Sequence, residues 1–183
     1  IKIRDTMERL NTPVTENKLG TYGTWAGGQS NQDEVKPLIF GEVFNTTPML
    51  VDPSLLKYIF NDGNSEQLIE IRDNGVPIYT TAGITSGLTS GATVTLNTGS
   101  FVLAHPLVGG ITTSIQGIKN SINLSTGALV PDTYSNNIAN IIALIVTQYG
   151  KSYTRLSASD IDLTNFAAFA AANTQSVGIE ILG

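Results

Sequence analysis

Gln67-Leu68-Ile69-Glu70-Ile71-Arg72-Asp73-Asn74-Gly75-Val76-Pro77-Ile78-Tyr79 is the stretch that decides the fold. Two apolar runs of period two flank Asn-Gly. A two-residue hairpin loop needs positive φ at its centre, and Asn and Gly adopt that conformation most readily. The segment therefore predicts an antiparallel hairpin closed at residues 73–75. Pro77 lacks an N–H donor and belongs at an edge or at a non-bonded position.

Working outward, the same period recurs on both sides. Leu38-Ile39-Phe40-Gly41-Glu42-Val43-Phe44 reads as a strand, Met49-Leu50-Val51 as a short one closed by Asp52-Pro53, and residues 55–60 as another before Asn61-Asp62-Gly63. A second hairpin is expected around Asn97-Thr98-Gly99, between residues 93–96 and 100–104. Ile111-Thr112-Thr113-Ser114-Ile115-Gln116-Gly117 alternates once more. Short strands separated by turn signals predict an antiparallel sandwich or barrel-like unit over residues 37–120.

After that the period changes. Ile138, Ile141, Ile142, Ile145 and Tyr149 fall on one helical face, with Gly150 as the stop. A second, shorter helix is expected to open at Asp160, with acid at its positive end, and to close at Asn173. Val177-Gly178-Ile179-Glu180-Ile181-Leu182 reads as a final strand. The expected class is α+β, mainly β, with residues 121–183 as an α+β module of two helices and a terminal strand. Residues 1–36 are expected to hold the end of a preceding domain and a Gly-rich connector anchored by Trp25. In residues 1–10 the chain reads as a strand end followed by a helical turn capped by Asp5. The start on Ile1 without Met, and the stop just past a strand, lead to the expectation of an internal segment of a longer polypeptide.

Composition narrows the function. Only 14% of the 183 residues are charged, well below the usual quarter, and Thr, Ser, Asn and Gly take their place. That mix suits strands and tight turns with a neutral polar surface. Ten Lys and Arg give no cluster against a net charge of −5, so a phosphate-backbone face is not expected. Without Cys there are no disulfides, thiolate metal sites or Cys nucleophiles. The longest apolar run, residues 141–146, is too short to span a membrane.

Individual residues offer little chemistry. His105 is the single histidine and lacks the partners of a triad or metal site, so its expected role is structural. Asp160, Asp162 and Asn165 loosely suggest a calcium loop, but the central Gly and the closing Glu are missing, and helix capping accounts for them better. Gly20, Gly23, Gly27 and Gly28 do not match a phosphate-binding fingerprint. Asp62, Glu66, Glu70 and Asp73 form a local acidic excess read as a solvated strand face rather than a pair of glycosidase carboxylates. Tyr22, Trp25 and Phe44 could line a sugar site, though single aromatics more often serve as core or interface anchors.

At Lys36-Pro37-Leu38-Ile39-Phe40-Gly41-Glu42-Val43-Phe44-Asn45 the chain resembles the central tail proteins of long-tailed bacteriophages and prophages, the baseplate or tail-tip hub class. The resemblance continues through Leu50-Val51-Asp52-Pro53, Asp62-Gly63 and Ile69-Glu70-Ile71-Arg72-Asp73-Asn74-Gly75-Val76-Pro77. Met7-Glu8-Arg9-Leu10-Asn11-Thr12-Pro13 looks like the family's lead-in. Residues 99–104 and 111–117 look like its hairpin and strand, and residues 160–179 like its closing module. The loop at residues 83–91 departs from the pattern in being richer in Ser, Thr and Gly.

The resemblance implies a structural virion component, assembled in the host cytoplasm, that joins the tail tube to a central spike or fibre. It implies a trimer in the full-length protein, neighbouring tail proteins as partners, and no membrane span. It supplies no catalytic, cofactor-binding or metal-binding residues, so neither an enzyme nor a cofactor is expected. The alternative is a carbohydrate- or receptor-binding β module using the loops at residues 61–66 and 84–92.

Overall fold

The computed structural model describes residues 13–15, 17–19, 33–81, 83–84, 93–107 and 109–182. The expectations for residues 1–10, for Tyr22 and Trp25, for the four glycines between 20 and 28, and for the loop at 85–92 lie outside these. The described strands are β1 (Leu38–Thr46), β2 (Met49–Asp52), β3 (Lys57–Ile59), β4 (Ser65–Asp73), β5 (Val76–Thr80), β6 (Gly83–Ile84), β7 (Thr93–Thr95), β8 (Ser100–Val102), β9 (Ile111–Ile118), β10 (Asn120–Ile122), β11 (Leu129–Pro131) and β12 (Gly178–Ile181). The helices are α1 (Ile138–Gln148) and α2 (Leu163–Ala172). The class is α+β, mainly β, with antiparallel pairing throughout these strands.

The chain divides into two compact units, one of them holding residues 17–118 and 178–183. In this β unit, β4 and β5 are joined by Asn74 and Gly75 at φ 50° and 81°, which is the expected hairpin turn. A six-stranded sheet follows the order β12-β1-β9-β4-β5-β6, and a four-stranded sheet the order β2-β3-β8-β7. β5 lies between β4 and β6, and it pairs with β6 at Tyr79↔Ile84 and Thr80↔Gly83.

The core joins both sheets. Ile39, Leu68, Ile71, Ile78 and Ile115 from the larger sheet cluster with Phe60, Phe101 and Leu103. Phe101 stacks on Tyr58 and Phe60 at centroid distances of 5.2 and 6.2 Å. Each such side chain contributes about 1.5–3 kcal/mol on burial. The strand expected over residues 55–60 begins only at Lys57. Asp52 Oδ1 accepts from the backbone N–H groups of Ser54 and Leu55, and this holds residues 53–56 in a turn.

The expected connector is tied at its two ends. Lys18 bridges Val35, Leu19 N–H donates to the Glu34 carbonyl, and Lys36 N–H donates to the Asn17 carbonyl. β12 departs from expectation as well. The sequence places the terminal strand in the 121–183 module, but it pairs with β1 from Leu38↔Ile181 to Gly41↔Gly178. Gly178 permits that approach, because a Cβ there would lie 2.0 Å from the Glu42 carbonyl oxygen.

The second unit, described over 13–15 and 119–177, holds the β10–β11 hairpin and both helices. Asn137 caps α1 by accepting from Ala139 N–H, and its amide donates to the Ala170 and Asn173 carbonyls at the end of α2. α2 opens at Leu163, not Asp160, because Asp162 is the residue that caps it; it ends at Asn173 as expected.

The buried residues of α1 are Ala139, Ile141, Ala143, Leu144 and Thr147. Of the expected stripe Ile138, Ile141, Ile142, Ile145 and Tyr149, only Ile141 is buried, and Ile142 is 36% exposed. α1 is apolar almost all round, so periodicity alone cannot select a face. Asn140 helps select it by bonding both backbone groups of Ile122 in β10.

Candidate functional site

Most of the carboxylates singled out from the sequence have local hydrogen-bond partners. Glu70 pairs with Arg72 Nε at 2.6 Å, and Asp73 accepts from Gly109 N–H at 3.1 Å. Glu66 lies half-buried on β4. Asp160 accepts from the Ser157 N–H and hydroxyl, and Asp162 from the Asn165 N–H and amide. Those carboxylates are engaged in capping, and no group of three or more His, Asp or Glu among the described residues could hold a metal ion. His105 is exposed in the loop after β8.

Phe44 is the nominated aromatic that the structure describes, and it is 60% exposed. The reason is local. The β1–β9 register shifts between Val43 and Thr46, and Asn45 has φ 57°. Residues 44–45 form a bulge, a device that bends a strand and re-aims its side chains. The ladder resumes at Thr46↔Thr113, where the two hydroxyls bond at 3.0 Å inside the protein.

Val76, just past the Asn-Gly turn, is 61% exposed. β9 starts at Ile111 opposite Asp73, which itself faces Val76. The register thus brings the Phe44 bulge and the hairpin tip to one end of the six-stranded sheet. Leu55, in the Asp52-held turn, is 57% exposed. Ile59 is half-buried, and Phe101 is fully buried beside Tyr58 and Phe60.

The loop at residues 61–66, the described part of the alternative binding surface, is built around a buried polar node. Asn61 Oδ1 accepts from Ile39 N–H at 2.9 Å, and its Nδ2 donates to Ser65 Oγ at 2.8 Å. Beside it, Lys36 Nζ lies 3.6 Å from Asp62 Oδ1, with the two side chains 10% and 12% exposed. Asn17 Nδ2 donates to the other oxygen of Asp62 at 2.8 Å. Burial pulls the Lys36 ammonium below its usual range, and Asp62 opposes this by its charge and hydrogen bond.

Sequence reasoning missed this cluster. In the sequence Lys36 stands only at the head of the resembling string, and Asp62 reads as one of the solvated acids. The available signal was the polar triplet Asn61-Asp62-Gly63 between two apolar runs. Family models, curated proteins and solved structures give no match to this chain. No described helix is long and apolar enough to cross a membrane.

Proposed function

We propose that this chain is a structural segment of a bacteriophage tail, part of the baseplate or tail-tip hub that joins the tail tube to the central spike or fibre. It works by contact, not turnover. Its partners are copies of itself, as a trimer in the full-length protein, and neighbouring tail proteins in the virion. The observation that carries this reading is the bulge at Phe44–Asn45. It turns a large aromatic side chain outward from β1, at the sheet end that also presents Val76.

Interface cores are enriched in aromatic anchors and depleted in charge, and buried aromatics commonly dominate their energetics. The engaged carboxylates support the same reading, since they cap and pair locally. The resemblance along residues 36–77 supplies the identity of the assembly.

Native mass spectrometry of the full-length parent tests the proposal. A closed trimer is expected, weakened by Phe44→Asp while the circular dichroism spectrum is kept. A strictly monomeric parent, absent from purified virions, would overturn it.

A further inference from the structure

One carboxylate, that of Asp62, touches both an amine and a primary carboxamide. Its Oδ1 faces Lys36 Nζ at 3.6 Å, and its Oδ2 accepts from Asn17 Nδ2 at 2.8 Å. The backbone holds the three residues together. Lys36 N–H donates to the Asn17 carbonyl at 2.9 Å, and Asp62 N–H donates to the Pro37 carbonyl at 2.7 Å. Residues facing each other across an antiparallel pair have Cβ atoms about 4.5–5.5 Å apart, within reach of a lysine side chain.

We propose that Lys36 and Asn17 condense into an intramolecular amide, with Asp62 as the proton carrier. Asp62 first takes one proton from the Lys36 ammonium and leaves a neutral amine. The amine lone pair attacks Asn17 Cγ, and the Nζ–Cγ bond forms. Asp62 then passes its proton to Nδ2 and takes a second proton from Nζ. The Cγ–Nδ2 bond breaks with its electron pair, and ammonia departs, taking up the proton from Asp62 to leave as ammonium. The carboxylate is restored, and no oxidant, reductant or cofactor is consumed.

The surroundings suit each step. A desolvated lysine is the usual form of a nucleophilic one. Lys36 and Asp62 are shielded from water, and burial favours the uncharged amine. Asn17 is exposed, so ammonia has a way out to solvent. In a chain without Cys the amide would do what a disulfide does elsewhere, closing residues 17–36 covalently.

Intact-mass spectrometry of the purified chain is the test. The expected mass is below the value calculated from the sequence by one ammonia, about 17 Da for displacement by an amine. Trypsin does not cut Lys36-Pro37, so residues 10–18 and 19–57 should appear joined as one branched peptide. Asn17→Ala changes an exposed side chain and should fold, with its own full calculated mass. Lys36→Arg keeps the positive charge and should also show its full mass. A wild-type mass equal to the calculated one after prolonged incubation would overturn the proposal, as would a gain of about 1 Da from simple deamidation at this asparagine.

Discussion

Asn61→Ala is the substitution that most sharply probes how the β unit is held together. Asn61 is completely buried, yet its side chain makes two bonds, to Ile39 N–H and Ser65 Oγ. Ile39 is equally buried, so removing the amide strands a backbone donor with no route to water. A stranded buried donor costs about 1–3 kcal/mol. Ser65 loses less, because its hydroxyl also approaches the Gly63 carbonyl at 3.4 Å. The space left by the amide adds roughly 1 kcal/mol. Together the expected loss is about 2–4 kcal/mol, a large share of the 5–15 kcal/mol typical of a domain. At about 2–4 °C per kcal/mol for a chain of this size, Tm should fall by roughly 5–15 °C. Thermal unfolding followed by circular dichroism, with urea titration as a check, reads this directly. Ser65→Ala, which leaves the Ile39 bond in place, should cost clearly less. A Tm for Asn61→Ala within about 2 °C of wild type would refute the account of Asn61 as the node joining β1 to the turn after β3.

Two glycines should separate strain from clash. Gly75→Val meets no neighbour within 4 Å but must hold φ +81°, which predicts a loss of about 1–2 kcal/mol by urea denaturation. Gly117→Ala places a Cβ 2.0 Å from the Ile39 carbonyl oxygen and should cost more than about 3 kcal/mol, so the reverse order would contradict the β1–β9 packing. Burial raises the Glu180 carboxyl above its ordinary value of 4.5. The folded chain therefore holds that proton more tightly than the unfolded one, and the associated stability is present below the unfolded value and lost as pH rises through the folded value. Glu180→Gln should raise Tm near neutral pH, with the gain vanishing below about pH 4, and a gain independent of pH would count against the desolvation account. Adding calcium or EDTA should leave Tm unchanged, since Asp160 and Asp162 are engaged as caps; a shift of several degrees would show that they bind metal.

What was legible in the chain was local. Asn74-Gly75, Asn97-Thr98-Gly99, the α1 stop at Gly150 and the end of α2 at Asn173 depend on backbone conformations set within a few residues. What was not legible depends on distant partners. Leu68 and Ile71 both enter the core although three positions apart, because a register irregularity between Leu68 and Glu70 breaks the period of two. The face of α1 was hidden by its uniform apolarity and follows Asn140 bonding to Ile122. β12 could be read as a strand, but nothing in residues 178–181 names β1 as its neighbour. Phe44 was visible as a candidate aromatic, whereas the bulge that exposes it arises from pairing with β9. The Lys36–Asp62–Asn17 cluster joins three separate segments, so spacing along the chain carried no sign of it.

The central proposal is that this chain forms part of the hub of a phage tail and acts there through its apolar contacts. A cryo-EM map of intact tails from a virion containing the parent protein tests it most directly. The account predicts density for the β unit at the junction of tail tube and central spike or fibre, in a closed three-fold ring, with Phe44 covered by a neighbouring subunit. A map of the complete tail with no density for this chain at that junction, or with Phe44 facing solvent in every copy, would contradict it.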